Sequence, residues 1–233
     1  MVREVKEHEE QIEAATQKFK LGNKEIIALV VIGILAVVLV YNTIRITGLA
    51  TGGSVTGNSI LSSVSASEII PTGTPKIYGK ELGVSYDDIS PNDPRKADAT
   101  IDVLGNLDTS INLEGADLQR YINIASQISC EYCCGAESVI FSNGQPACGC
   151  AHSYAMRGLA KYLITKHSSE YSDDEILSEM GKWKVLFFPG IHETKAAVLK
   201  AQGIELNYIN LASNKYRGIE TGQASGGSMV GGC

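Results

Sequence analysis

The chain is organised around two short segments, CEYCC at residues 130–134 and CGCAH at residues 148–152. Together they hold five of the six cysteines in the sequence and one of its four histidines, all within 23 positions. A cluster this dense is typical of a metal site, a redox-active thiol group or a set of disulfides.

The spacing of the cluster favours a tetrahedral metal site. Cys130 and Cys133 have the CxxC spacing that lets two thiolates bind one ion, and the second segment adds a CxCxH group. The turn sequence at 142–146, SNGQP, can fold the two halves onto each other. We therefore predict a zinc site, with Cu(I) or an iron–sulfur cluster as the other cofactors that thiolates select. The candidate ligands are Cys130, Cys133, Cys134, Cys148, Cys150 and His152.

Two other uses of the thiols stay open. Cys130 and Cys133 could exchange disulfides with a partner, with the terminal Cys233 as a resolving thiol. In an oxidising compartment the cysteines could instead form structural bridges in a surface protein without enzymatic activity. The adjacent pair Cys133 and Cys134 and the short span make unstrained bridges difficult. Metal binding is therefore the preferred hypothesis, and whether the protein is an enzyme stays open.

Amphipathic segments next to the cluster predict a mainly α fold, a small helical domain with short extended segments. Apolar residues recur with helical spacing over 116–128 and 151–166. A capping box at 172–175, SDDE, predicts the start of a third helix, and the Pro-Gly pair at 189–190 should end it. The cluster is thus expected at the joint between two helices.

More distant parts of the domain carry weaker signals. Residues 76–115 are predicted to form short elements broken by turns, one of them at Gly105-Asn106. A fourth helix is predicted over 194–202 and a strand or extended edge over 204–211. His167 and His192 have no cysteine neighbours and are predicted to lie on the surface.

An apolar run near the N-terminus predicts membrane attachment. Residues 26–46 reach the roughly 20 residues that a membrane-spanning helix needs. Lys and Arg concentrate in the charged segment 1–25, so the positive-inside rule predicts a signal-anchor with a cytoplasmic N-terminus. The predicted organisation is a charged segment at 1–25, a transmembrane helix at 26–46, a Gly/Ser/Thr-rich linker at 47–75, the Cys-cluster domain at 76–220 and a flexible Gly-rich tail at 221–233.

Composition and motifs exclude several functional classes. The formal net charge is −6 and no basic stripe is present, so nucleic acid is not an expected partner. The sequence lacks the motifs of α/β-hydrolases, kinases and dinucleotide-binding enzymes. The expected partners are the membrane, a metal ion and a protein outside the membrane.

The cluster and its surroundings resemble known families. The string ISCEYCCGAESVIFSNGQPACGCAHSYAMRGLAKYL, with YSDDEIL and KWKVLFFPG, resembles an uncharacterised archaeal family of membrane-anchored proteins, over roughly residues 76–220. About 50 residues are also similar to the thiol-oxidoreductase subunit of cytochrome c maturation, and the Cys-Gly-Cys portion to bacterial lipoproteins with that motif. The oxidoreductase resemblance implies thiol–disulfide exchange by Cys130 and Cys133 outside the membrane. The additional cysteines and His152 depart from that family and favour a metal.

Overall fold

The computed structural model describes residues 64–221 and 229–231, and in addition Gly33, which is helical. The chain separates into two units, Met1–Ser59 and Ile60–Cys233, and the described residues other than Gly33 belong to the second. The predicted transmembrane helix at 26–46, apart from Gly33, lies outside the described residues, as do the charged segment 1–25, residues 47–63 of the linker and Cys233. Within the described part of the chain, no helix is long and apolar enough to cross a membrane.

The described residues form a mainly helical fold, as the sequence predicts. Extended pairing among them is limited to isolated bridges between Ile128 and Ser213 and between Ile140 and Pro146. Short 3-10 turns occur at Tyr86–Asp88 and Asn214–Tyr216. The helices are α1 (Ala66–Ile69), α2 (Gly79–Leu82), α3 (Pro94–Ser110), α4 (Gly115–Ala125), α5 (Ala151–Lys166), α6 (Asp173–Phe187), α7 (Pro189–Ala201) and α8 (Tyr208–Ala212).

The helices around the cluster agree with the sequence patterns. Helix α5 has the predicted bounds, and α4 ends a few residues before the predicted limit. The capping box of α6 is present, because Ser172 Oγ accepts from the backbone N–H of Glu175 and the Glu175 carboxylate accepts from the N–H of Ser172. The apolar residues of α6, among them Trp183, are buried in the core.

Three expectations about the more distant elements are wrong. Residues 94–110 form one long helix instead of broken short elements, because Asp93 caps it and packing against α5 carries it through Gly105. The predicted fourth helix begins at Pro189 instead of residue 194, since proline fits the first turn of a helix, while α6 ends before the Pro-Gly pair as predicted. Residues 208–211 are helical instead of extended, because the Asn207 side chain caps α8.

Only the last part of the predicted linker, residues 64–75, lies among the described residues. Residues 64–75 include the short helix α1, and Val64 and Ile69 are buried in the core. A capping box between Ser65 and Glu68 starts this helix. The packed domain therefore includes residues upstream of 76.

The crossing of α3 and α5 brings two backbones into close contact next to the cluster. Gly158 of α5 lies so near α3 that an added Cβ would stand 2.0 Å from the carbonyl oxygen of Leu104. Arg157, the preceding residue, is fully buried and pairs with Asp108 of α3 at 2.7 Å. The start of α5, which carries the second cysteine segment, is thereby held against α3.

Candidate metal centre

The two cysteine segments are brought together by the loop between α4 and α5. The predicted turn forms at 142–146: the N–H of Phe141 donates to the carbonyl of Gln145 at 2.7 Å, and Gly144 has a φ of 82°. The N–H of Ala147 also donates to the carbonyl of Val139 at 3.1 Å. This pairing returns the chain towards Cys130, as the sequence predicts.

The structure separates the five clustered cysteines into a buried and an exposed set. Cys130, Cys148 and Cys150 are at most 9% exposed, and their thiols are free. The Sγ atoms of Cys150 and Cys130 are 3.3 Å apart, and those of Cys148 and Cys150 are 3.5 Å apart. Cys133 and Cys134 are exposed. Only one half of the predicted CxxC pair therefore lies inside the buried cluster.

His152 completes a group that could hold a metal ion. Ligand atoms of Cys130, Cys150 and His152 all lie within 4.8 Å of one another. The His152 ring is fully buried and stacks near Phe187 and Phe188, with ring centroids 4.6 and 5.2 Å away. Its Nε2 lies 2.8 Å from the carbonyl oxygen of Val230. A carbonyl oxygen only accepts, so Nε2 carries a proton and Nδ1 is the nitrogen that would bind a metal.

The distances suit a thiolate–imidazole site. A Zn–S bond of about 2.3 Å places two sulfurs of a tetrahedral site about 3.8 Å apart. The two observed sulfur separations are a few tenths of an ångström shorter, so small movements would admit an ion. Cys148 is the nearest further donor, since its thiol contacts Cys150 although it lies outside the group of three.

The start of helix α5 favours a thiolate at Cys150. The hydrogen bond with the Cys130 thiol is the largest cause that lowers the pKa of Cys150 far below its usual value, and hydrogen bonds with His152 and Ser153 act in the same direction. Cys150 is the N-cap of α5, and its Sγ accepts from the N–H of Ser153 at 3.4 Å. The same hydrogen bond and burial raise the pKa of Cys130. The cluster therefore favours the thiolate form of Cys150, which a cation could bind.

Cys148 and Cys134 form the outer side of the cluster. Burial, followed by a hydrogen bond with the Cys134 thiol, raises the pKa of Cys148 to about 11. The exposed Cys134 thus contacts the buried cluster through Cys148. The assignment of Cys133 and Cys134 as metal ligands stays a prediction, and Cys233 lies outside the described residues.

Arg157 is a supporting residue that the sequence patterns do not reveal. Its guanidinium donates to the carbonyls of Cys148 and Val139, at 2.8 and 3.2 Å, as well as to Asp108. It therefore contacts the chain on both sides of the turn at 142–146, within the loop between α4 and α5, here called the cysteine loop. The available signal was a lone arginine within the apolar pattern of α5.

A buried charged cluster lies behind Cys130. Glu131 adopts a φ of 60°, a left-handed conformation rare for such a residue, and its carboxylate accepts from the N–H of Gly218 and from Lys184. Lys195 and Glu220 are also buried there, 3.9 Å apart. His192, predicted to lie on the surface, is fully buried against Tyr132. These groups hold the chain on the far side of Cys130.

Comparison with protein-family models, with curated proteins and with solved structures finds no match to this chain. The family resemblances noted in the sequence therefore stay expectations. Function is argued from the geometry of the site.

Proposed function

We propose that this protein binds a single zinc ion through Cys130, Cys150 and His152, with Cys148 as the fourth ligand. The observation that carries the proposal is the convergence of ligand atoms from Cys130, Cys150 and His152 within 4.8 Å. Sulfur and imidazole nitrogen are the donors that zinc prefers. Four ligands from the protein leave no open coordination position, which is the pattern of a structural ion.

Metal content and thiol counting test the proposal. The full-length protein, purified anaerobically, should contain one zinc per chain, and chelation should increase the number of reactive thiols. Cys150→Ser should lose the ion, because it removes the thiolate at the centre of the sulfur contacts. The matched control Cys133→Ser/Cys134→Ser removes two exposed thiols of the same cluster and should keep the ion. Zinc loss in the control but not in Cys150→Ser would contradict the ligand set. A soft metal such as Cu(I) in place of zinc would change the proposed ion while keeping the site.

We also propose that this domain is displayed outside the cell membrane on the predicted helix at 26–46, where it would meet a protein partner. The support comes from the sequence: the apolar run and the concentration of Lys and Arg before it. Retention of the protein in membranes after alkaline washing, with external labelling of the Cys133 and Cys134 thiols in intact cells, would support this topology. Release by alkaline washing would contradict it.

A thiol–disulfide oxidoreductase is the second candidate. The pair that favours it is Cys130 and Cys150, because their sulfurs are 3.3 Å apart and the hydrogen bond with Cys130 lowers the pKa of Cys150. This pair differs from Cys130 and Cys133, which the sequence spacing suggests. A metal-free protein with one readily reduced disulfide would favour this function over zinc binding.

A further inference from the structure

The end of the described chain returns to the candidate metal centre. Residues 229–231, here called the C-terminal strap, lie against the start of α5. The N–H of Val230 donates to the carbonyl of Phe187 at 2.9 Å, at the end of α6. Its own carbonyl accepts from Nε2 of His152 at 2.8 Å. Val230 is 3% exposed, so these two hydrogen bonds are shielded from water.

Gly231 shows how closely the C-terminal strap is seated. A Cβ at this position would stand 2.3 Å from Cδ1 of Ile101 and 3.4 Å from Nε2 of His152. The residue also has a φ of 84°, which side-chain-bearing residues rarely adopt. Glycine is therefore required for the strap to lie between α3 and the His152 ring.

We infer that the C-terminal strap is a positioning element of the metal centre, and that its docking is coupled to metal binding. The Val230 carbonyl accepts from Nε2 of His152, so Nδ1 is the nitrogen that would bind the ion. Hydrogen-bond partners of a ligating histidine set its tautomer and ring orientation, and their loss typically lowers metal affinity about 10–100-fold. Since coupling between two binding events is reciprocal, metal must tighten docking of the strap by the same factor.

This inference rests on the proposed function, and its test uses the full chain with three variants. Deletion of residues 229–233 removes the C-terminal strap, Gly231→Val displaces it, and Cys233→Ser keeps it while removing the terminal thiol. Zinc affinity is measured by competition with a chromophoric chelator. We expect the first two variants to bind zinc about 10–100-fold more weakly, and Cys233→Ser to match the wild type. Unchanged affinity in the deletion would overturn the inference.

A second measurement separates failure of the inference from failure of zinc binding. The tautomer of His152 is read from ring ¹⁵N chemical shifts in the metal-free protein. The wild type should carry the proton on Nε2, and the strap deletion should lose that preference. If neither the wild type nor any variant binds zinc, the proposed function is wrong. The tautomer then decides alone whether the strap positions His152. An identical tautomer in the wild type and the deletion would overturn that positioning.

Discussion

At the scale of single residues, Arg157 connects the cysteine loop to the helical core. Arg157→Lys should keep a positive charge near Asp108 but remove the donor to the Cys148 carbonyl, whereas the Val139 carbonyl keeps the N–H of Ala147. A buried group left without its partner costs about 1–3 kcal/mol, so the free energy of unfolding should fall by roughly 1–3 kcal/mol. Zinc affinity should fall as well, because Cys148 is the proposed fourth ligand.

Lys161→Met is the matched control for Arg157→Lys. Lys161 also pairs with Asp108, at 2.8 Å, and its hydrogen bonds in the described structure go to Asp108 and not to the cysteine loop. It should lower stability while leaving zinc affinity close to that of the wild type. Urea unfolding and chelator competition measure the two effects. Equal loss of zinc affinity in both variants would show that Arg157 acts only through the fold.

His192 should make the protein sensitive to mild acid. Burial, together with the nearby cations Lys184 and Lys195, holds its pKa well below 6.5, and its Nδ1–H donates to the carbonyl of Phe188. Below about pH 6.5 the unfolded chain therefore binds a proton at His192 that the folded chain does not bind. Its contribution to stability is complete above about pH 6.5 and is lost as the pH falls below that value, by up to about 1.4 kcal/mol per pH unit.

The substitution His192→Asn tests this dependence, because its amide can still donate to the Phe188 carbonyl. The variant should be less stable at pH 7.5 but should show a shallower loss between pH 6.5 and 4.5. Urea unfolding at a series of pH values provides the comparison. An unchanged slope in the variant would assign the acid sensitivity to other groups.

Residue types and spacing were enough to identify the cluster, but not to sort its members. The sequence shows five equivalent thiols, whereas the fold buries Cys130 and exposes Cys133. That difference depends on how the chain turns at Glu131, whose positive φ no local pattern indicates. The burial of His192 and the role of Arg157 likewise depend on contacts between helices that are distant in sequence.

At the scale of the elements, the crossing of α3 and α5 depends on the absence of a side chain at Gly158. Gly158→Ala should lower stability by at least about 2 kcal/mol, because the new methyl group would overlap the Leu104 carbonyl and force the helices apart. Gly105→Ala is the control on the opposite helix. Its Cβ would meet Tyr154 at 3.4 Å, an ordinary contact, and alanine favours the helix by up to about 1 kcal/mol.

Thermal unfolding followed by circular dichroism distinguishes the two glycines. The melting temperature should fall clearly for Gly158→Ala and stay level or rise for Gly105→Ala. A similar fall in both would mean that the helices cannot adjust at either site. The sequence analysis predicted a helix break at Gly105 because glycine is a weak helix former. Packing of α3 against α5 outweighs that preference. The capping box at 172–175, by contrast, predicted the start of α6 well, because a cap is a local feature.

At the scale of the whole molecule, the described core belongs to the unit Ile60–Cys233. We therefore expect a fragment of residues 60–233 to fold without the preceding segment and to unfold in one cooperative transition. Circular dichroism and urea titration measure this, and zinc content should match that of the full chain. A fragment starting at residue 76 is the informative comparison, because it lacks the buried Val64 and Ile69 and should be less stable. Equal stability of the two fragments would show that residues 60–75 contribute little.

The fold class and the domain boundaries could be predicted only partly from the sequence. Helical periodicity predicted the fold class, because several helices bury one regular face. The boundary at 76 followed the Gly/Ser/Thr-rich composition, and it missed the apolar residues within 64–75 that pack on the core. The membrane helix at 26–46 lies outside the described residues and stays a prediction.

Burial of the proposed ligands also determines how fast a bound ion could be exchanged. Cys130 and His152 have no measurable exposure, and the C-terminal strap contacts Nε2 of His152. A chelator in solution cannot attack the ion until the protein opens. The rate of zinc release should therefore be independent of chelator concentration and equal to the rate of that opening. A rate that rises in proportion to chelator concentration would instead show direct transfer, through a site open enough to pass its metal to another protein.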